Sequence, residues 1–155
     1  MREHTGIFPS IIKCELSTGI ISYEQKCLFH EQLLLQYLRK SVNGWSIIDF
    51  LSVQNINKFV LYAITDFTEI VCDDLKHKQV YGQGRICDKR AVDFRDGYKG
   101  WEVIGVEELV NLYHTNEINK IIILSVLHEN EIMDDLLNQG IKLNDLISIV
   151  SILYS

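Results

Sequence analysis

Four residues have types that suit chemistry: Asp88, Ser125, His128 and Glu129. A hydroxyl, an imidazole and a carboxylate within five residues supply the groups of an acid–base site. No Gly-x-Ser-x-Gly elbow surrounds Ser125, and no recognisable triad is spaced around it. A histidine at the start of a helix also serves as an ordinary polar loop residue. Asp88 follows an apolar stretch about 25 residues after Ala63. An acid at that distance from a phosphate-binding turn can hold the ribose hydroxyls of a dinucleotide. It can equally be a turn residue after a strand.

That turn lies in residues 58–75, where Lys-Phe-Val-Leu-Tyr-Ala-Ile-Thr-Asp-Phe-Thr-Glu runs from a strand pattern into an amphipathic helix. A dinucleotide-binding unit carries G-x-G-x-x-G here: one glycine for the tight turn, one for pyrophosphate approach and one for close helix packing. Ala63, Thr65 and Thr68 occupy those positions. The branched side chain of Thr65 would stand where phosphate belongs, so a different turn is expected. Asp66 and Glu69 have capping-box spacing. They are expected to cap the helix, and as two carboxylates they would repel a pyrophosphate. The cofactor expectation is therefore none, with NAD(P) or a nucleotide-sugar on a rearranged turn as the alternative. The residues such a ligand would meet are Ala63, Thr65, Asp66, Asp88, Ser125 and His128.

Composition narrows the rest. A net charge of −6 argues against a nucleic-acid or anionic-membrane partner. Lys76-His77-Lys78 and Lys89-Arg90 read as solvated surface. Cys14, Cys27, Cys72 and Cys87 form no C-x-x-C pair and have no metal-ligand spacing. Free thiols of this kind suit a reducing cytoplasm. Asp73-Asp74 and Asp134-Asp135 read as exposed helix faces, and no metal site is expected. Tyr62 and Trp101 fall near strand ends, where they can stack on a ring or pack the core. No leader segment is visible, and the longest apolar runs are too short to cross a bilayer.

The elements that must position these groups follow from periodicity. Residues 1–22 contain Ile7, Phe8, Ile11, Ile12, Ile20 and Ile21, too apolar for a free tail. Tyr23 to Val42 reads as a helix with a stripe of Cys27, Leu28, Glu31, Leu34, Leu35 and Leu38, stopped by Asn43-Gly44. Trp45 to Val53 reads as a second helix, with Ser46 as its N-cap and Ile47, Ile48, Phe50 and Leu51 buried. Strands are expected at 59–62, 80–87, 101–104, 120–125 and 146–149. Helices are expected at 66–76, 107–114 and 129–139, with a short tail at the end. Alternating strands and helices imply β-α-β units, a parallel sheet and strand order 3-2-1-4-5. The expected division is a helical extension over residues 1–56, packed on the core or a partner, and an α/β domain over 57–155.

From about Gln32 onward the chain resembles bacterial Rossmann-like proteins and domains associated with capsular polysaccharide and cell-surface glycan biosynthesis. The motifs that carry the resemblance are Gly44–Leu51, Lys58–Tyr62 with its turn, and Ile86-Cys87-Asp88. Gly100–Leu109 and Ile121–Ser125 complete it. The resemblance implies the fold, and it implies company such as a glycosyltransferase. It implies an activity less, because such domains host several functions. Three readings remain open. The first is a non-catalytic or degenerate accessory protein. The second is an enzyme or sensor for a nucleotide or nucleotide-sugar. The third makes the N-terminal helices a homo-oligomerisation element.

Overall fold

The computed structural model describes residues 22–77 and 84–155. The expectations for residues 1–21, including Cys14, and for Lys78, Val80 and Gly82 lie outside them. Among the described residues two helices come first: α1 over Tyr23–Val42 and α2 over Ile47–Val53. Then come β1 (Phe59–Tyr62), α3 (Asp66–His77), β2 (Arg85–Cys87), β3 (Glu102–Ile104) and α4 (Val106–His114). The chain continues through β4 (Lys120–Ile123), α5 (Glu129–Asn138), β5 (Leu146–Ser148) and α6 (Ile149–Leu153). The five strands form one parallel sheet in the order β3-β2-β1-β4-β5. It is a Rossmann-like α/β fold, with β1 central as expected.

Strand alternation divides the core. Phe59, Leu61, Ile86, Ile122 and Leu124 join a cluster with α1, α2, α3 and α6. Val60, Tyr62, Cys87, Ile121 and Ile123 join the other, with α4 and α5. Both faces of the sheet are thus covered, which is why β1 and β4 read as continuous apolar runs. Phe29, Leu33, Tyr37, Ile47 and Leu51 of the leading helices sit in the same cluster as the sheet.

Three expectations are corrected. First, α1 buries Phe29, Leu33 and Tyr37, while Leu28, Leu35 and Leu38 are exposed and Cys27 and Leu34 are half-buried. The helix carries two apolar stripes, and docking on α6 and the sheet selects the one with the aromatic rings. Second, the expected terminal tail forms α6, capped by Ser148, whose Oγ accepts from the Val150 N–H at 3.1 Å. Third, Asp74 is not a bare helix face. Its carboxylate accepts from Tyr37 Oη and Ser46 Oγ, both at 2.9 Å, and from the Ile47 N–H at 3.2 Å. One acid of α3 thereby ties down α1 and the start of α2. Ser46 caps α2 as expected, with Asp49 completing the box. Ile47 and Leu51 of α2 are buried, and Ile48 and Phe50 are half-buried.

Two glycines have steric reasons. Gly44 stops α1 with φ of +88°, a conformation costly for residues with a Cβ. A Cβ on Gly84 would lie 1.6 Å from the buried Trp101 ring. Trp101 therefore serves as packing across the start of β2, rather than as an open stacking platform.

Candidate functional site

The C-terminal ends of β1, β2 and β4 meet at the point where strand order reverses, the usual ligand crevice of such sheets. A cavity of about 470 Å³ opens there, lined by Tyr62, Thr65, Asp88, Arg90, Ser125 and His128 among others. Ala63 also lines it. Of the six residues proposed from sequence, five meet at this cavity. Asp66 does not line it. Its side chain is 75% exposed and lies 3.5 Å from His30 Nε2.

The turn after β1 is closed from within. Thr65 Oγ1 accepts from the Phe67 N–H at 3.2 Å and donates to the Leu124 carbonyl at 3.2 Å. Thr68 Oγ1 accepts from the Thr65 N–H at 2.9 Å and donates to the Ala63 carbonyl. The capping box is therefore Thr65–Thr68, not Asp66–Glu69. The helix begins one residue earlier than the carboxylate pair requires, so Asp66 is its first residue. Glu69 instead faces Lys99, with Oε1 3.3 Å from Nζ. The Thr65 hydroxyl thus takes up the Phe67 amide, one of the donors that would otherwise face a phosphate. The Tyr62–Ala63 peptide that opens the turn is cis.

Asp88 completes the closure. Its carboxylate is 4% exposed and accepts from the Ile64 N–H at 2.9 Å. It also accepts from the Arg90 N–H at 2.8 Å and from Arg90 Nε and Nη2, both at 3.0 Å. Arg90 Nη2 in turn donates to the Ile64 carbonyl at 3.2 Å. Burial raises the Asp88 pKa, but the Arg90 guanidinium and the two amides outweigh it and hold the carboxyl below its ordinary range. Both oxygens are thus engaged at the position where a ribose would be held. Arg90, expected to be solvated surface, lies across this acid and over the Phe94 ring.

Ser125 and His128 adjoin, but through the backbone: the His128 N–H donates to Ser125 Oγ at 3.2 Å. The imidazole Nδ1 lies 3.6 Å from Glu131 Oε2 on the exposed rim. Glu129, expected beside them, is buried at the start of α5. Lys89 reaches Asp135 at 3.0 Å on the same rim. Glu131 and Ile132 complete the lining. Glu131 went unnoticed in the sequence, although its i,i+3 spacing from His128 was a readable signal.

The thiols stand apart from this chemistry. Burial pushes the Cys72 thiol up to about 12 and that of Cys87 higher still, so neither is a thiolate at neutral pH. Among the described residues no group of three His, Cys, Asp or Glu is gathered as for a metal ion. No helix among them is long and apolar enough to cross a membrane. Comparison with protein-family models, curated proteins and solved structures finds no match for the chain.

Proposed function

We propose that this chain is an accessory protein of Rossmann-like fold, acting through protein contacts rather than by dinucleotide chemistry. The observation that carries the reading is the internally satisfied turn. The amides of Ile64, Thr65 and Phe67 already donate to Asp88, Thr68 and Thr65. A pyrophosphate would have to displace charge-assisted and capping bonds that come at no ordering cost in the folded chain. The motif resemblance supports a role in cell-surface polysaccharide synthesis beside an enzyme such as a glycosyltransferase, and the free thiols suit a cytoplasmic setting.

One observation favours a second reading, a nucleotide-sugar ligand. A cavity of about 470 Å³ falls within the ordinary range of ligand sites, and Ser125 and His128 stand at its edge. Thermal-shift and calorimetric titration with NAD, NADP and UDP-sugars separate the two. The accessory reading expects no stabilisation at millimolar ligand. Saturation at 100 times Kd would stabilise by about 2.7 kcal/mol, readable as several degrees. Such a shift, lost in a Ser125→Ala/His128→Ala variant of unchanged intrinsic Tm, would overturn the accessory reading.

A further inference from the structure

Tyr62 is the last residue of β1 and forms part of the cavity wall. The residue is 1% exposed, and its buried hydroxyl has no hydrogen-bond partner among the described residues. Native chains rarely keep such an orphan, because it forfeits the bonds it would make to water. The polar groups around it are in the opposite condition. The turn amides are taken up by Asp88 and the threonines, Arg90 by Asp88, and Lys89 by Asp135. Burial pushes the Tyr62 phenol well above its ordinary range, and Cys87, Asp135 and Asp88 add to the shift. The group therefore stays protonated and offers a donor.

We propose that this cavity binds a compact, uncharged ring compound with an apolar body and one carbonyl or ring-nitrogen acceptor, which accepts from Tyr62 Oη. Charge and wall chemistry set the class. Asp88 and Glu131 on the lining balance Lys89 and Arg90, so a ligand of either sign gains little by entering. A phosphate meets turn amides that already have acceptors. A free sugar carries a hydroxyl on nearly every carbon. Against Ala63, Ile64 and Ile132 most of those hydroxyls would lose water without a replacement bond. The same apolar side chains favour a ring with little polar surface. The mouth permits entry, since His128 and Glu131 edge it with side chains 61% and 74% exposed, and exposed side chains change rotamer within nanoseconds. Such a ligand goes beyond the accessory reading and needs neither a phosphate nor a partner protein.

Protein-observed NMR titration of the full chain tests it with acetophenone and quinoline, both uncharged at neutral pH and each carrying one acceptor. Both are expected to bind saturably at millimolar concentration and to move the amides of Ala63, Ile64 and Ile132. Ethylbenzene, which has the shape of acetophenone without the oxygen, should bind about tenfold more weakly, the worth of one hydrogen bond. Tyr62→Phe should weaken both probes by about the same factor. Its thermal midpoint without a probe should be unchanged or higher, because the deleted hydroxyl had no partner. Absence of saturable shifts with both probes overturns the proposal and leaves the accessory reading standing. Equal binding of ethylbenzene, or equal binding of the probes to Tyr62→Phe, overturns it in the same way. A Tyr62→Phe midpoint several degrees lower also overturns it, since the hydroxyl would then have a partner within the protein. UDP-glucose should leave the same amides in place; if it binds there more tightly than the probes, this proposal and the accessory reading fall together.

Discussion

The turn after β1 and the outer face of α1 are opposites. At the turn, polar groups that suit a ligand have found partners within the chain: Thr65 with Phe67, Thr68 with Thr65, and Asp88 with Ile64 and Arg90. On α1, apolar groups that suit a core have been left in water. Buried donors and acceptors must be paired where they stand, since an orphan costs about 1–3 kcal/mol. An exposed leucine carries no such obligation. The polar groups of the turn are therefore satisfied from within, although the buried Tyr62 hydroxyl on the cavity wall has no partner among the described residues, and the apolar face of α1 stays in water.

The comparison can be broken on the inner side of α1 first. Leu33 is fully buried, with 0% exposure, so Leu33→Ala should destabilise by about 3 kcal/mol in urea denaturation. A loss near zero would mean that the buried and exposed faces have been interchanged. Asp88→Ala comes next, at about 2–3 kcal/mol, because it strands the Ile64 N–H and frees Arg90. Thr68→Val should follow at about 1–2 kcal/mol, by leaving the Thr65 N–H and Ala63 carbonyl unpaired. If that variant is neutral, the turn is not held by the threonine pair. Leu38→Gln, measured on dilute protein, should change stability by less than about 0.5 kcal/mol.

Acid sharpens the contrast. The folded Asp88 pKa lies below its unfolded value of 3.8. Its stabilisation is therefore present above pH 3.8 and is lost as pH falls through the lower folded value. The stability gap between wild type and Asp88→Asn should hold from neutrality to about that pH and shrink below it. A gap that widens on acidification would reverse the assigned sign. Leu38→Gln should show no such dependence.

Much of the fold was legible in the sequence. The apolar runs Phe59–Tyr62 and Ile121–Leu124 require cover on both faces, and the intervening helices force parallel strands. The convergence of Asp88, Ser125 and His128 followed from topology, since each stands just past a strand end. The capping pair was not legible. Thr65/Thr68 and Asp66/Glu69 have the same spacing one residue apart, and only the exact start of α3 chooses between them. Nor was the role of Asp74, whose partners Tyr37 and Ser46 are 37 and 28 residues away.

The sequence by itself determined the alternation of strands and helices, the strand order and the loss of the glycine cradle. Those properties are written in local periodicity and in residue size. Tertiary structure alone decided that Thr65, Thr68 and Asp88 close the cradle, and which of two apolar stripes on α1 enters the core. The physical reason is the same in both cases. Local sequence offers each group several acceptable partners of similar energy, and the packed sheet allows only one set to be satisfied at once.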